Sequence, residues 1–294
     1  MDWTTVEQAI SRASGAPYTI RRHRAVGGGC INAAWRLEGE DGRRYFVKTN
    51  APAETAMFDA EAAGLEDMAR TESVRVPRVV CQGADTQASF LVLEWLDLRG
   101  ADAAALRRLG AALAEMHRVR QPFFGWHRDN TIGSTPQPNP RAEAWVPFYA
   151  EHRLGFQLAL AARNGYAALR AKGERLIEHL PVFFADYHPY PSLLHGDLWS
   201  GNAAADADGR PVIFDPACYY GDREADIAMT ELFGGFGADF LAAYNEVLPL
   251  DAGYAVRRTL YNLYHILNHL NLFGGGYRSQ AERMLDTLLA ELRA

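Results

Sequence analysis

The chain changes character once along its length, near Leu96, and that change limits the folds open to it. Before it the residues read as short strands: Tyr18-Thr19-Ile20, Ala33-Ala34-Trp35-Arg36-Leu37, Tyr45-Phe46-Val47-Lys48, Val76-Pro77-Arg78-Val79-Val80 and Phe90-Leu91-Val92-Leu93-Glu94. Apolar and β-branched runs broken by Gly27-Gly28-Gly29 and by Asp41-Gly42 predict antiparallel hairpins. An opening helix over Trp3 to Ser14 precedes them. A second helical stretch, over Thr55 to Arg70, gathers Met57, Phe58, Ala62, Leu65 and Met68 on one apolar face. After Leu96 the pattern turns helical, over Ala103 to His117, Trp145 to Ala171 and Arg257 to Phe273. Pro-rich loops join these helices, and one short strand pair is expected around His195 to Asp215. An α+β, bilobal fold follows: residues 1–96 as a small antiparallel sheet with one helix, and 97–294 as a larger, mostly helical lobe. The cleft between two such lobes is where ligands bind.

Composition removes several classes of function. With 294 residues, 48% of them hydrophobic and 22% charged, the chain can bury a real core. Its net charge of −6 argues against a nucleic-acid or anionic-membrane partner. The basic run Arg21-Arg22-His23-Arg24 reads as a solvated strand edge. No apolar stretch approaches the roughly 20 residues that cross a bilayer, and Met1-Asp2-Trp3-Thr4 lacks the basic-then-apolar order of a signal peptide. Cys30, Cys81 and Cys218 form no CxxC pair, so neither a disulfide framework nor a zinc site is expected. Reduced thiols and a cytoplasmic location fit together.

His195-Gly196-Asp197-Leu198-Trp199-Ser200-Gly201-Asn202 has the spacing of a kinase catalytic loop, with glycine in place of the middle arginine. Phosphoryl transfer explains that spacing. A carboxylate orients the attacking hydroxyl and accepts its proton, and an amide oxygen beyond a short loop coordinates magnesium on the same side of the cleft. Asp197 takes the first role and Asn202 the second. Downstream, Val212-Ile213-Phe214-Asp215 is an apolar strand ending in a carboxylate, the place of a second magnesium ligand. Pro216-Ala217 follows where a protein kinase has Phe-Gly, which predicts a fixed metal site without a mobile switch.

Upstream, Lys48 sits on an apolar strand where its ammonium can meet the α- and β-phosphates of ATP. Glu61 on the next helix is its expected ion-pair partner, with Glu54 as the competitor. Gly27, Gly28 and Gly29 let backbone N–H groups approach phosphate without a Cβ clash, although a triple glycine by itself also fits a plain hairpin turn. Glu94, Trp95 and Leu96 lead from a strand into the connector between lobes. Backbone groups of Glu94 and Leu96 can pair there with the adenine edge; an edge strand without a ligand fits the local residues equally well.

On these residues the chain resembles the fructosamine kinase family, the ketosamine-3-kinases. The Trp199-Ser200 pair sets it apart from aminoglycoside and choline kinases. The likeness extends through Gly27-Gly28-Gly29-Cys30-Ile31, Asn130-Thr131-Ile132-Gly133, Pro136-Gln137-Pro138-Asn139, Phe214-Asp215-Pro216-Ala217, Phe233-Gly234-Gly235-Phe236 and Asn268-His269. The resemblance implies a protein-kinase-like fold, ATP and Mg2+, and transfer of the γ-phosphate to the third-carbon hydroxyl of a ketosamine. Such a ketosamine is the rearranged adduct of a sugar with a free lysine or a protein lysine amine. Phosphorylated there, the adduct sheds its sugar and restores the amine, which is protein deglycation. Bacterial-type members of the family favour ribulosamines and erythrulosamines over fructosamines. An aminoglycoside, choline or homoserine kinase, or an ATP-binding module without chemistry, would share much of this frame. Monomer and homodimer both stay open.

Several side chains carry narrower expectations. His195, Trp199 and His269 are candidates for contact with the acceptor, and Trp199 either packs the loop or stacks on a sugar ring. His265 and His269 share a helical face but lack the glutamate of the zinc-protease motif, which leaves a structural or substrate-contacting role. His117 is expected in the core or as a helix cap. Glu224 and Asp226 are expected as solvated carboxylates, with binding of the substrate amine as the alternative. Cys30 is either a small buried cysteine or a redox-sensitive thiol able to form an intersubunit disulfide.

Overall fold

The computed structural model describes residues 2–27 and 31–292. Gly28, Gly29 and Cys30 lie outside the described residues, and so do the expectations placed on them. Asp2 caps α1 (Trp3–Ser14) by accepting the Thr4 N–H at 2.9 Å. There follow β1 (Ile20–Val26), β2 (Ala33–Gly39), β3 (Arg44–Asn50), α2 (Thr55–Ala69), β4 (Val79–Ala84) and β5 (Ser89–Glu94). The five strands form one antiparallel sheet in the order β1-β2-β3-β5-β4. β4 begins at Val79 rather than Val76, because Pro77 has no N–H to give to a ladder.

Strand alternation divides the sheet by face. Tyr45 and Val47 of β3 bury against Val6 and Ile10 of α1 together with Leu37, Phe90 and Val92. Phe46 and Lys48 point to the other face, toward α2 and an open cavity. Burial of Val6 and Ile10 contributes about 1.5–3 kcal/mol each as an upper bound. The sheet therefore carries two helices, one per face, where one was expected: the opening helix belongs to the same small core.

The remaining elements are mainly helical. α3 (Ala103–His117) is capped by Asp102, which accepts the Ala105 N–H at 2.8 Å. A hairpin of β6 (Asn130–Ile132) and β7 (Thr135–Gln137) follows, then α4 (Trp145–Tyr149), α5 (Phe156–Arg163) and α6 (Ala167–Glu178). A π-helical turn, Ala150–Gly155, joins α4 to α5, and a turn at Asn164-Gly165 breaks the single helix expected over Trp145 to Ala171. Two short antiparallel pairs replace the one expected: β8 (Ser192–Leu194) with β11 (Tyr219–Gly221), and β9 (Ala203–Ala205) with β10 (Pro211–Ile213). His195 to Asn202 span the gap from β8 to β9. α7 (Glu224–Leu232), α8 (Ala238–Val247), α9 (Tyr254–Phe273) and α10 (Arg278–Glu291) complete the chain. Leu260, Leu263, Ile266 and Leu267 make α9 the centre of the larger core, while its Asn268, His269 and Leu272 reach the cavity. Among the described residues no helix is long and apolar enough to cross a membrane.

Candidate active site

The cavity between the sheet and the helical elements has a volume of about 780 Å³. Gly27, Lys48 and Glu61 line it from the sheet side, Glu94, Trp95 and Leu96 from the connector, and Asp197, Trp199, Asn202, Asp215 and His269 from below.

Lys48 is the buried hub. Its Nζ donates to Glu61 Oε1 at 2.6 Å and to Asp215 Oδ1 at 2.6 Å. Burial alone would favour the neutral amine, but Asp215 and Glu61 outweigh it and raise the pKa, so the ammonium stays charged. Glu61, not Glu54, is the partner; Glu54 is exposed at the start of α2.

Asn202 Nδ2 donates to the Asp197 carbonyl at 2.9 Å and reaches Asp197 Oδ2 at 3.3 Å. Those bonds set the amide's orientation and leave Asn202 Oδ1 with no donor among the described residues. Burial, and then the charge of Asp215, push the Asp197 carboxyl up to about 7. Asp215 itself adopts φ of 59°, a left-handed conformation that costs a residue with a Cβ about 1–3 kcal/mol. This strained turn follows β10 directly and coincides with the Lys48 contact.

The donor set suits a small hard cation. Asp215 offers carboxylate oxygens and Asn202 its free amide oxygen, and the charge of Asp215 is felt at the Asp197 carboxyl. Among the described residues no cluster of three His, Cys, Asp or Glu side chains forms a metal cage. Magnesium fits such a site, because it is held by one or two protein groups together with phosphate and water oxygens.

His195 departs from expectation. Its ring is fully buried and does not line the cavity. Nε2–H donates to the Phe214 carbonyl at 2.9 Å, and Nδ1 accepts the Asp197 N–H at 3.2 Å. Burial lowers its pKa, so the ring is neutral and bridges the two loops that carry Asp197 and Asp215. Gly196 sits where they cross, at φ of 81°, and a Cβ there would lie 2.1 Å from the Ala217 carbonyl oxygen.

Asp226 is the residue that sequence reasoning missed. It is 1% exposed, not solvated, and accepts the N–H groups of His195 at 2.7 Å and Gly196 at 2.8 Å. His117 Nε2 joins it at 3.2 Å, while His117 Nδ1 meets Tyr244 Oη at 2.8 Å. Burial alone would raise the Asp226 pKa, but these donors win and hold it low. The only sign of this in the sequence is a carboxylate inside the apolar run Ala225–Met229. Glu224 is buried as well and pairs with Arg257, so neither acid is placed to meet a substrate amine.

Elsewhere on the cavity wall Trp199 is 38% exposed and meets Phe233 edge-on at 6.3 Å between centroids. His269 lies among Phe233, Phe273 and Tyr277 at 4.7, 5.5 and 5.1 Å. Its Nδ1–H donates to the His265 carbonyl at 2.8 Å, and burial lowers its pKa, which leaves Nε2 as an acceptor. His265 does not line the cavity, and burial pushes its pKa down to about 3. In the connector the Glu94 N–H is taken by the Arg78 carbonyl at 3.0 Å and its carboxylate by Arg75 at 2.8 Å. The Leu96 N–H has no partner among the described residues.

A family model for fructosamine kinase matches residues 2–291. A Synechocystis protein assigned as a ketoamine kinase is 50% identical over 289 residues, covering 98% of this chain and 97% of its own. The chloroplastic protein-ribulosamine 3-kinase of Oryza sativa is 47% identical over 296 residues, covering 99% of this chain and 84% of its own. The crystal structure of a Haemophilus somnus protein assigned as a fructosamine-3-kinase superposes with a TM-score of 0.90 at 30% identity, covering 98% of this chain and 97% of that one. The fold is that of the protein-kinase-like phosphotransferases. On this match, and with these side chains around one cavity, the chain belongs to the fructosamine kinase family.

Proposed function

We propose that the chain transfers the γ-phosphate of ATP, in the presence of Mg2+, to the third-carbon hydroxyl of a ketosamine carried on free lysine or on a protein amine. The product sheds its sugar, so the reaction serves deglycation. Residues 1–96 act as the nucleotide lobe and 97–294 as the catalytic and acceptor lobe. Lys48, held by Glu61, takes the α- and β-phosphates, and Gly27, just past the end of β1, offers its backbone to the nucleotide. The connector Glu94-Trp95-Leu96 faces adenine, with the Leu96 N–H as donor. Asn202 and Asp215 hold Mg2+, which neutralises phosphate charge when bound.

Asp197 Oδ1, the oxygen not bonded to Asn202, accepts the hydrogen bond of the acceptor hydroxyl. As the hydroxyl oxygen bonds to the γ-phosphorus its proton passes to Asp197, and the phosphorus–oxygen bond to the departing ADP opens. Trp199 offers a face for the sugar, and His269 Nε2 accepts from a sugar hydroxyl.

The observation that carries this reading is the convergence of Lys48, Asp197, Asn202 and Asp215 on one cavity in a member of this family. The names of the relatives, ketoamine kinase and ribulosamine 3-kinase, support the acceptor class. ADP release should be seen with ribulosyl-, erythrulosyl- or fructosyl-lysine, or with a glycated peptide. Turnover of aminoglycosides or choline, with none on any ketosamine, would sink the proposal.

A further inference from the structure

The motifs Asn130-Thr131-Ile132-Gly133 and Pro136-Gln137-Pro138-Asn139 make up the β6–β7 hairpin and its flank, and the roles assigned at the cavity leave them without a task. Gln137 is 1% exposed. Its Nε2 donates to the Ala217 carbonyl at 3.1 Å and to Asn130 Oδ1 at 2.8 Å, and its Oε1 accepts the Tyr264 hydroxyl at 2.6 Å. Asn130 Nδ2 donates to the Cys218 carbonyl at 2.8 Å. One hairpin thus grips two consecutive carbonyls, those of the second and third residues after Asp215.

The grip is braced from behind. Asn139 Nδ2 donates to Asn130 Oδ1 at 2.9 Å. Arg153, on the π-helical turn, donates to Asn139 Oδ1 at 2.6 Å and to the Pro138 carbonyl at 2.7 Å. That arginine is fully buried, lies 4.0 Å from the Tyr219 ring centroid, and donates only to carbonyl and amide oxygens among the described residues. A buried cation without a counter-charge is costly, and apolar packing would fill the same volume without that cost. Its presence under the hairpin points to a geometric task. From the opposite side α2 rests on the same segment: a Cβ on Gly64 would lie 2.9 Å from Cys218 Cβ and 3.4 Å from Pro216 Cγ.

Asp215 is held in a conformation that a residue with a Cβ leaves unless its neighbours prevent it. We infer that Gln137 and Asn130, braced by Arg153, are positioning residues that lock the Asp215 turn toward Lys48 and the metal, in place of the movable Phe-Gly segment of regulated protein kinases. The inference rests on the proposed role of Asp215 as a metal ligand.

Calorimetric titration of a non-hydrolysable ATP analogue, with and without Mg2+, tests it on the full chain. Gln137→Met keeps the side chain's length and removes all three hydrogen bonds. Binding without metal should stay within about twofold, whereas the gain in affinity from Mg2+ should fall by about tenfold or more, the usual loss when a group that orients a metal ligand is removed. Tyr264→Phe removes one hydroxyl and should lose less in the same direction; it decides the matter if Gln137→Met does not fold. An unchanged magnesium gain in folded Gln137→Met, or failing that protein in Tyr264→Phe, overturns the inference alone. A wild type indifferent to magnesium overturns the metal assignment, and the inference with it.

Discussion

Two clusters of charge in this molecule, one buried and one opening on the cavity, are built to opposite ends. In the helical region Arg257 donates to both oxygens of Glu224, at 2.7 and 3.1 Å, and to Asp251 at 2.6 Å. Asp222 beside them accepts the Tyr187 hydroxyl at 2.8 Å, the Tyr261 hydroxyl and the Glu224 N–H at 3.0 Å. Both oxygens of Asp222 and of Glu224 have donors, so that cluster is closed. At the cavity a single lysine serves Glu61 and Asp215, and among the described residues Asp215 Oδ2, Asp197 Oδ1 and Asn202 Oδ1 meet no donor. Buried charge alone therefore does not mark a site. Acceptors left without donors beside an open volume do, and on the proposed function they take up a cation and a hydroxyl.

The sharpest way to break this comparison is to remove one carboxylate from the open cluster. Asp197→Asn should lower kcat by about 10²–10⁴-fold while leaving ATP affinity largely intact, since on the proposed mechanism it deletes a general base and not a nucleotide contact. Asp215→Ala should instead abolish magnesium-dependent nucleotide binding. Nucleotide titrations that show equal losses for both would contradict the separate roles.

Next in size is a cut through the closed cluster. Arg257→Met leaves Glu224 buried without its partner, and should cost about 3–5 kcal/mol in denaturant unfolding. Turnover per folded molecule should be unchanged. A kcat that fell along with stability would mean that the closed cluster also shapes the cavity.

What could be read in advance divides along the same line. Lys48 was legible because strand alternation is local: Phe46 and Lys48 share one face and Val47 the other. Asp197 and Asn202 were legible because their spacing lies inside one loop. Glu224 and Asp226 were misread as solvated, because what buries them lies far along the chain. Arg257 reaches Glu224 from α9, and the backbone of His195 and Gly196 reaches Asp226 from the loop after β8. His195 was assigned to the acceptor side for its neighbours in sequence, yet its two ring bonds turn it inward to Phe214 and Asp197. The opening helix was visible by periodicity, but its place on the outer face of the sheet depends on Leu37, Val47 and Phe90 converging from three strands.

The smallest effect tests the open cluster from the side of stability. Burial and Asp215 move the Asp197 carboxyl from an ordinary 3.8 to about 7. The folded state then binds this proton more tightly than the unfolded state does. Its contribution is fully present at low pH and is lost as pH rises between those two values. Asp197→Asn should remove that slope and raise stability at neutral pH by on the order of 1–2 kcal/mol, a figure kept low because the carboxylate borders the open cavity. Urea unfolding from acid to neutral pH, without metal or nucleotide, reads it directly. Superimposable profiles for the wild type and Asp197→Asn would show that the carboxylate carries no such strain. Activity should run the other way, because only the ionised carboxylate can accept the hydroxyl proton, so kcat/KM should decline as pH falls below about 7. On the proposed mechanism the ionised state that lets Asp197 act as a base is thus the one in which it destabilises the fold, a conflict that the closed cluster around Arg257 avoids.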